Sequence, residues 1–358
     1  MLTKTNKPFF PTIDGMRAIA IIIVVMDHAL HQIYRESSWI RYLPYGDMGV
    51  YLFFVISGFL ITTLLLHEQH KNKDINLKKF YIRRILRIFP VAYLYIGIIV
   101  IVGLFINLGN TTMTTVGALL FLRNVSIFKG DWFFAHFWSL SYEEQYYMWY
   151  PWFVKKLKQY LIHFLWLILV IIIFIKAALY YSLIPNSIWW SILTGIDGIL
   201  IGAIGGIYHS KRKLNINLNN MSILLISITT LLLSYILYNN IIGINQKYLN
   251  KSIGAFLLLI FLIINLKKEN NWFGAFLSTK PMLHIGILSY SIYIWQQLFT
   301  VPANDFMFIT FGNKISPSFY DVINYISFPL NLILIYFTSL LSYYGYERYF
   351  LKLKNKFN

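Results

Sequence analysis

An arginine and a histidine, Arg17 and His28, lie eleven residues apart inside a long apolar run near the start of the sequence. Charged groups at membrane depth are costly, so each calls for a role or a partner. In a helix the two would share one face, about three turns and roughly 16 Å apart. Alternatively, Arg17 is a snorkelling residue paired with Asp14 at i,i+3, and His28 is a hydrogen-bonded packing residue. The shared face favours a joint functional role.

Two adjacent carboxylates, Glu143 and Glu144, enter a later apolar segment that opens at His136. Glu143 and His28 each lie about 8–9 Å below the outer end of their own run. A carboxylate beside an imidazole orients the ring and raises its basicity, as a general base for a hydroxyl group requires. The alternative is a pair with a structural arginine, which we favour for Glu144 because adjacent residues point about 100° apart. The sequence therefore predicts a contact between His28 and Glu143.

A basic cluster before the third apolar run contains Arg84 and Arg87. The preference of Lys and Arg for the cytoplasmic side of a membrane explains most of this cluster. The i,i+3 spacing of the two arginines puts them on one helical face, where guanidinium groups can hold phosphates bidentately. Arg17 is predicted at the same membrane level. Three arginines at the cytoplasmic mouth would bind a phosphorylated ligand, such as a nucleotide-bearing cofactor.

The composition is that of a membrane protein: of 358 residues, 58% are hydrophobic and only 13% are charged. The net charge of +17 comes from short basic clusters between apolar runs, which argues against a nucleic-acid-binding face. Cysteine is absent, so disulfides, thiolate metal sites and a thiol nucleophile are excluded. Any covalent catalysis must use another group.

Apolar runs of about 20 residues predict an all-α membrane protein, a polytopic bundle of about ten transmembrane helices. The runs lie near residues 13–34, 49–67, 89–108, 138–154, 160–178, 188–208, 221–239, 252–266, 282–302 and 324–346. A weaker run at 112–122 predicts a re-entrant or surface helix.

Lys and Arg concentrate in alternate loops, which predicts cytoplasmic N- and C-termini and a multi-pass protein of the cell membrane. The outer loops hold fewer basic residues, among them Arg123 and Lys176. We expect a single transmembrane domain over residues 1–350 and a short basic cytoplasmic tail over 351–358, without an appended soluble domain.

These positions predict an anion site at the inner mouth of the bundle and a His–carboxylate centre in its outer half. A long donor entering from inside could then reach an acceptor presented from outside. Ser57 and Gly58 could line such a path, but close helix packing is the favoured role.

The sequence resembles the membrane acyltransferase-3 family. Asp14 to Arg17 with His28 looks like the family's Arg-x10-His signature, and Arg84 with Arg87 matches its Arg-x-x-Arg motif. Three longer blocks are also similar to family blocks: Phe53 to Thr62, His136 to Tyr147 with its Ser139 and Glu143 pair, and Leu288 to Trp295. In the last block Gln296 stands where the family has histidine, which puts a role for a late histidine in doubt.

The resemblance implies an O-acyltransferase that takes an acyl group, usually acetyl, from cytoplasmic acyl-CoA. The acceptor would be a hydroxyl of a cell-surface or lipid-linked glycan. His28 would be the general base, with Glu143 orienting it and Arg17 completing the catalytic group. Arg17, Arg84, Arg87 and Ser139 would hold the donor, and no metal is expected. Because the SGNH-type hydrolase domain of some family members is lacking, transfer would finish in the membrane or through a separate extracytoplasmic protein.

Two other classes of function fit part of the pattern. Buried His, Glu and Arg also mark proton relays, so a transporter or exporter of a glycan or small metabolite is the alternative. A scaffold for polysaccharide assembly would not need the buried ionisable residues. Aromatic residues in the outer segments either stack on a sugar acceptor or form an interfacial belt: Trp39, Tyr42, Tyr45, Trp132, Phe133 and Phe134.

Overall fold

The computed structural model describes residues 10–33, 46–106, 108, 111–183, 195–211, 218–239, 247–266, 272–301 and 317–357. Every regular element in these ranges is helical. The α-helices are α1 Pro11–Ile33, α2 Gly46–Asn72, α3 Leu77–Phe105, α4 Thr112–Leu119, α5 Phe137–Leu157, α6 Leu161–Tyr180, α7 Asp197–Ser210, α8 Asn220–Tyr238, α9 Lys247–Ile264, α10 Trp272–Leu277, α11 Lys280–Phe299, α12 Pro317–Ser342 and α13 Arg348–Lys354. Short 3-10 turns occupy Ser126–Phe128, Lys158–Tyr160 and Asn355–Phe357, and a π-helical turn occupies Tyr343–Glu347.

A helix lies in each predicted apolar run within the described ranges, so the all-helical class is confirmed. Four stretches are long and apolar enough to cross a membrane: Gly46–Asn72, Leu77–Phe105, Phe137–Tyr180 and Asn220–Tyr238. These helices indicate a multi-pass membrane protein, and the count of ten spans stays a prediction. The weaker run at 112–122 contains only the eight-residue α4. Of the predicted aromatic residues, Trp39, Tyr42 and Tyr45 lie outside the described residues.

Two helices extend well beyond their apolar runs. α3 begins at Leu77 rather than near residue 89, and α2 continues to Asn72. Lys and Arg have high helix propensity, so a basic flank continues the helix of the apolar run. Arg84 and Arg87 consequently lie within α3, on one face.

Two compact units make up the chain, and the first takes in the ranges Met1–Ala20, Asp47–Asn76 and Glu143–Ile287. In this unit α7 is buried on all sides along most of its length. A helix that is apolar all round is one that other helices surround. In the described part of the first unit, α7 is therefore a central helix.

Glycines let α2 and α7 approach backbone to backbone. A Cβ on Gly58 would overlap the carbonyl oxygen of Ile199, and a Cβ on Gly202 would overlap the carbonyl oxygen of Val55. Small residues at such crossings permit the close contact that helices in membranes use to associate. The close-packing role predicted for Gly58 is confirmed.

A buried ion pair also joins helices of the first unit. Lys176 Nζ of α6 donates to Asp197 Oδ2 of α7 at 2.7 Å, and both side chains are buried. The hydroxyl of Ser252 donates to the same carboxylate oxygen at 2.6 Å, and the hydroxyl of Tyr51 donates to Oδ1 at 3.3 Å. Lys176 is therefore a buried helix residue with a carboxylate partner rather than a loop residue, and its assignment to the outer side of the membrane stays a prediction.

The second unit takes in the ranges Ile21–Gly46, Leu77–Tyr142 and Leu288–Asn358. Its C-terminal part packs against α3, where Arg83 Nη1 donates to the carbonyl oxygen of Phe357 at 2.9 Å. Within the same unit the hydroxyl of Tyr290 donates to the Ile88 carbonyl at 2.8 Å. The basic tail predicted over 351–358 is helical along most of its described length.

The contact at Gly58 predicts opposite effects for two glycine-to-alanine changes. Gly58→Ala should lower the thermal unfolding temperature of the detergent-solubilised protein, because a Cβ there forces two backbones apart at a cost of about 1–3 kcal/mol. Gly97→Ala is the matched control, since nothing lies within 4 Å of a Cβ at Gly97 of α3. Alanine at Gly97 should leave the temperature unchanged or raise it, as helix propensity favours alanine. Equal effects of the two changes would contradict the packing argument.

Candidate active site

His28 lies in the last third of α1, which runs without interruption from Pro11 to Ile33. The side chain is half-buried in the second unit. Its imidazole makes an edge contact with the indole of Trp132, with ring centroids 5.9 Å apart. The candidate general base is therefore adjacent to an aromatic side chain from the loop before α5.

Arg123 holds that loop in place. Its guanidinium group donates to the carbonyl oxygens of Phe134 at 3.1 Å, Asp131 at 3.3 Å and Phe128, and it pairs with the Asp131 carboxylate at 3.3 Å. The side chain is buried. Arg123 thus clamps the loop, and its assignment to the outer side stays a prediction. The loop carbonyls that it binds leave no sequence pattern.

Trp132 is also hydrogen-bonded to α11. Its Nε1 donates to the carbonyl oxygen of Gln297 at 3.0 Å, and Gln297 Nε2 donates to the carbonyl oxygen of Trp132 at 2.9 Å. Two reciprocal hydrogen bonds fix both the backbone and the ring of this tryptophan. The partner of His28 is therefore held before any ligand binds.

Ser139, predicted to bind the donor, lies at the start of α5 in the second unit. Its hydroxyl donates to the carbonyl oxygen of His136 at 3.2 Å and makes a short hydrogen bond with the hydroxyl of Tyr293. Tyr293 donates to the same carbonyl at 2.9 Å. In this arrangement Ser139 supports the His136 backbone, and a contact with a donor stays a prediction.

Glu143 lies near the N-terminal end of α5, in the first unit. Its Oε2 accepts hydrogen bonds from the hydroxyls of Tyr147 at 2.8 Å and Ser57 at 3.3 Å, and these two hydroxyls are themselves in contact. Ser57 is therefore a partner of Glu143 that the packing interpretation missed. The contact predicted between Glu143 and His28 stays a prediction.

Two of the predicted donor-binding arginines have local partners. Arg17 Nη1 pairs with Asp14 Oδ1 at 3.0 Å, which is the local ion pair given above as the alternative to a functional role. The guanidinium carbon of Arg84 lies 5.8 Å from the centroid of the Phe80 ring, one turn earlier in α3. Both arginines are half-buried, and their role in holding the donor stays a prediction.

Arg87 acts on a buried carboxylate that sequence reasoning did not single out. The π-helical turn brings in Glu347, whose Oε1 accepts hydrogen bonds from Ser291 at 2.6 Å and Ser342 at 2.8 Å. Burial raises the pKa of Glu347, while these two hydrogen bonds and the positive charge of Arg87 lower it. A π-helical turn has no apolar periodicity of its own, so the sequence pattern did not predict a buried position for Glu347.

The predicted site residues divide between the two units. The second unit holds His28, Arg84, Arg87 and Ser139, and the first holds Arg17 and Glu143. The convergence of the three arginines therefore stays a prediction. Within the described ranges, no group of three or more His, Cys, Asp or Glu side chains could hold a metal ion.

The helical architecture, with four stretches long and apolar enough to cross a membrane, indicates the class of a multi-pass membrane protein. The chain belongs to the acyltransferase-3 family: the family model described as "Acyltransferase domain" matches residues 10–346. The resemblance seen in the sequence is confirmed.

Two curated relatives are similar to the chain over most of its length. The peptidoglycan O-acetyltransferase OatA of Listeria monocytogenes is 27% identical over 318 residues, which cover 82% of this chain and 50% of the relative. The O-acetyltransferase OatA of Staphylococcus aureus strain NCTC 8325 is 27% identical over 334 residues, which cover 85% of this chain and 53% of the relative. The chain thus spans about half the length of the curated relatives it matches. No solved structure matches the chain.

The loop clamp predicts a local effect of Arg123→Lys. Lysine keeps the charge but loses the planar fork that binds several carbonyls, so the loop over residues 124–136 should open more often. Amide hydrogens there should exchange about 10–100-fold faster in hydrogen–deuterium exchange, since hydrogen bonds to charged groups contribute about 1.5–3 kcal/mol. Lys129→Met is the control, because Lys129 is an exposed basic residue of the same loop. Unchanged exchange in Arg123→Lys would contradict the clamp.

Proposed function

We propose that the chain is a membrane O-acetyltransferase that moves an acetyl group from cytoplasmic acyl-CoA to a hydroxyl of a glycan. The observation that carries the proposal is the placement of Arg17 and His28 on one uninterrupted helix, α1, inside the family match. The printed activity of the two relatives supports acetyl as the group transferred.

In the proposed reaction the two ends of the donor lie at different depths in the membrane, the phosphates at the cytoplasmic mouth and the acyl group near His28. Arg17, Arg84 and Arg87 hold the phosphates of acyl-CoA at the cytoplasmic mouth, with Ser139 further along the donor. His28 takes the proton of the acceptor hydroxyl, whose oxygen bonds to the acyl carbon while the bond to sulfur breaks. Glu143 orients the imidazole and stabilises its protonated form.

We infer ten spans with both termini in the cytoplasm, in a single domain over residues 1–350 with a basic tail over 351–358. The Lys and Arg bias of the loops supports this orientation in a cell membrane. It puts the arginines on the side where acyl-CoA is present and His28 in the outer half. A cell-envelope glycan is the acceptor class, and a separate extracytoplasmic transferase is the alternative recipient of the acetyl group.

The first test removes the proposed base. His28→Ala should reduce acetyl transfer to background in cells, while the protein accumulates and inserts as the wild type does. The measurement is mass spectrometry of envelope glycans from a strain that lacks the native gene and expresses each variant. His163→Ala is the control, since His163 is an exposed histidine of α6.

Retained acetylation in His28→Ala would overturn the proposed function. Glycan or metabolite flux in proteoliposomes without any consumption of acetyl-CoA would favour the transporter. A phenotype that survives mutation of His28, Arg17 and Glu143 together would favour a scaffold.

The second test separates the phosphate contacts from the chemistry. Arg84→Gln with Arg87→Gln should raise the KM for acetyl-CoA about 10-fold or more, because each charge-assisted contact contributes about 1.5–3 kcal/mol. With S-acetyl-N-acetylcysteamine, a donor without phosphates, the variant and the wild type should have similar kinetics.

Lys78→Gln is the matched control for the arginine test, because Lys78 is an exposed basic residue at the start of α3. It should leave the KM for acetyl-CoA unchanged. Equal losses with both donors in the arginine variant would place Arg84 and Arg87 outside the phosphate site.

A further inference from the structure

Three buried side chains of the second unit carry N–H groups that the proposed mechanism has not used. His136, Trp295 and Gln296 are at most 5% exposed. Within the described part of the chain, both ring nitrogens of His136, Nε1 of Trp295 and both amide atoms of Gln296 have no hydrogen-bond partner. Each such atom costs about 1–3 kcal/mol when buried. Three together in one region indicate a function.

Two of the three side chains contact one aromatic ring, that of Tyr95, and the third, Gln296, is next to Trp295 in α11. The ring of Tyr95 makes edge contacts with the imidazole of His136 at 5.3 Å and with the indole of Trp295 at 5.6 Å between centroids. His136 also contacts the ring of Tyr293 at 5.6 Å. At about 100° per residue, Gln296 falls between Trp295 and Tyr293 around α11. Gln296 is fully buried, and its neighbour on that arc, Tyr293, is the α11 residue that contacts His136.

The same region adjoins His28. His28 contacts Trp132, and the loop that carries Trp132 continues directly to His136. Burial lowers the pKa of His136 well below its ordinary value, and His28 and Arg123 lower it further when they carry a positive charge. His136 is consequently a neutral imidazole with one N–H to donate, whereas Trp295 is a donor only.

We propose that the N–H groups of His136, Trp295 and Gln296 form an oxyanion hole for acyl transfer at His28. The inference rests on the proposed acetyltransferase function. When the acceptor oxygen bonds to the acyl carbon and His28 takes its proton, negative charge develops on the carbonyl oxygen. N–H donors already fixed in a water-poor site stabilise that charge in the transition state. The intermediate then expels the CoA thiolate, which receives the proton from His28, and the donors keep their own protons.

The donors of the cluster and the residues that hold them each have a function in an oxyanion hole. An oxyanion needs several donors, and the cluster offers a ring N–H, an indole N–H and an amide N–H. The ring of Tyr95 contacts both the His136 and the Trp295 rings, while Ser139 and Tyr293 fix the His136 backbone through its carbonyl oxygen. Tyr95 is itself fixed, because its hydroxyl donates to the Phe133 carbonyl at 2.8 Å.

The experiment compares kcat and KM in the purified full chain with acetyl-CoA and soluble peptidoglycan oligosaccharides. Because the sequence has no cysteine, thiol release from acetyl-CoA can be followed without background from the protein. His136→Phe, Trp295→Phe and Gln296→Leu each remove one donor at similar size. Each should lower kcat by about 10²–10³-fold, with the KM for acetyl-CoA near that of the wild type.

Two further variants retain an N–H group at the changed position, and they test whether misfolding explains the loss of kcat. His136→Gln and Gln296→His should each retain at least 10-fold more kcat than the apolar change at the same position. Thr230→Val is the control for loss of a buried polar group elsewhere, since the Thr230 hydroxyl bonds only to carbonyls of its own helix. It should keep the wild-type kcat.

The outcomes separate the two proposals. A wild-type protein that transfers no acetyl group overturns the proposed function itself. Normal wild-type transfer with an unchanged kcat in the three apolar variants overturns only the oxyanion hole. A raised KM with an unchanged kcat also overturns it, because the residues would then bind the ground state instead of the transition state.

Discussion

A polar atom buried without a hydrogen-bond partner costs about 1–3 kcal/mol, and lipid supplies no water to take the partner's place. In the first unit, three donors from three different helices meet the Asp197 carboxylate, so α2, α6 and α9 are tied to α7. In the second unit, an irregular loop has carbonyl oxygens without the hydrogen bonds that a helix would provide. Arg123 donates hydrogen bonds to these oxygens. The position of the helices and the shape of the loop follow from the same constraint.

The loop before α5 shows how that constraint prepares a site. Arg123 binds the loop from within, and Gln297 binds Trp132 from α11. A residue held by several hydrogen bonds has few rotamers left to lose when a substrate binds. The aromatic surface beside His28 is therefore ordered in advance, although it lies in a segment with little regular structure.

Much of the fold could be predicted from the sequence, because an apolar run of about 20 residues has few choices other than a helix. Local spacing also placed Arg84 and Arg87 on one face of α3. The sequence could not show that Ser57 bonds to Glu143, or that Lys176 is a buried partner of Asp197, since those residues are far apart in the chain. Depth along a span can be counted from residue numbers, but the direction in which a helix face points depends on tertiary packing.

The glutamine at position 296 of α11 helps to separate two chemical roles for that position, proton transfer and hydrogen-bond donation. A glutamine amide has no proton to exchange near neutral pH, but it donates hydrogen bonds as a histidine ring does. If this position moved a proton during the reaction, glutamine in place of the family's histidine would abolish the step. If it holds a carbonyl oxygen, either residue serves. The replacement is therefore consistent with an N–H donor at residue 296. It also fits the proposal of His28 as the base, because burial lowers the pKa of His136 and makes that ring a weak base.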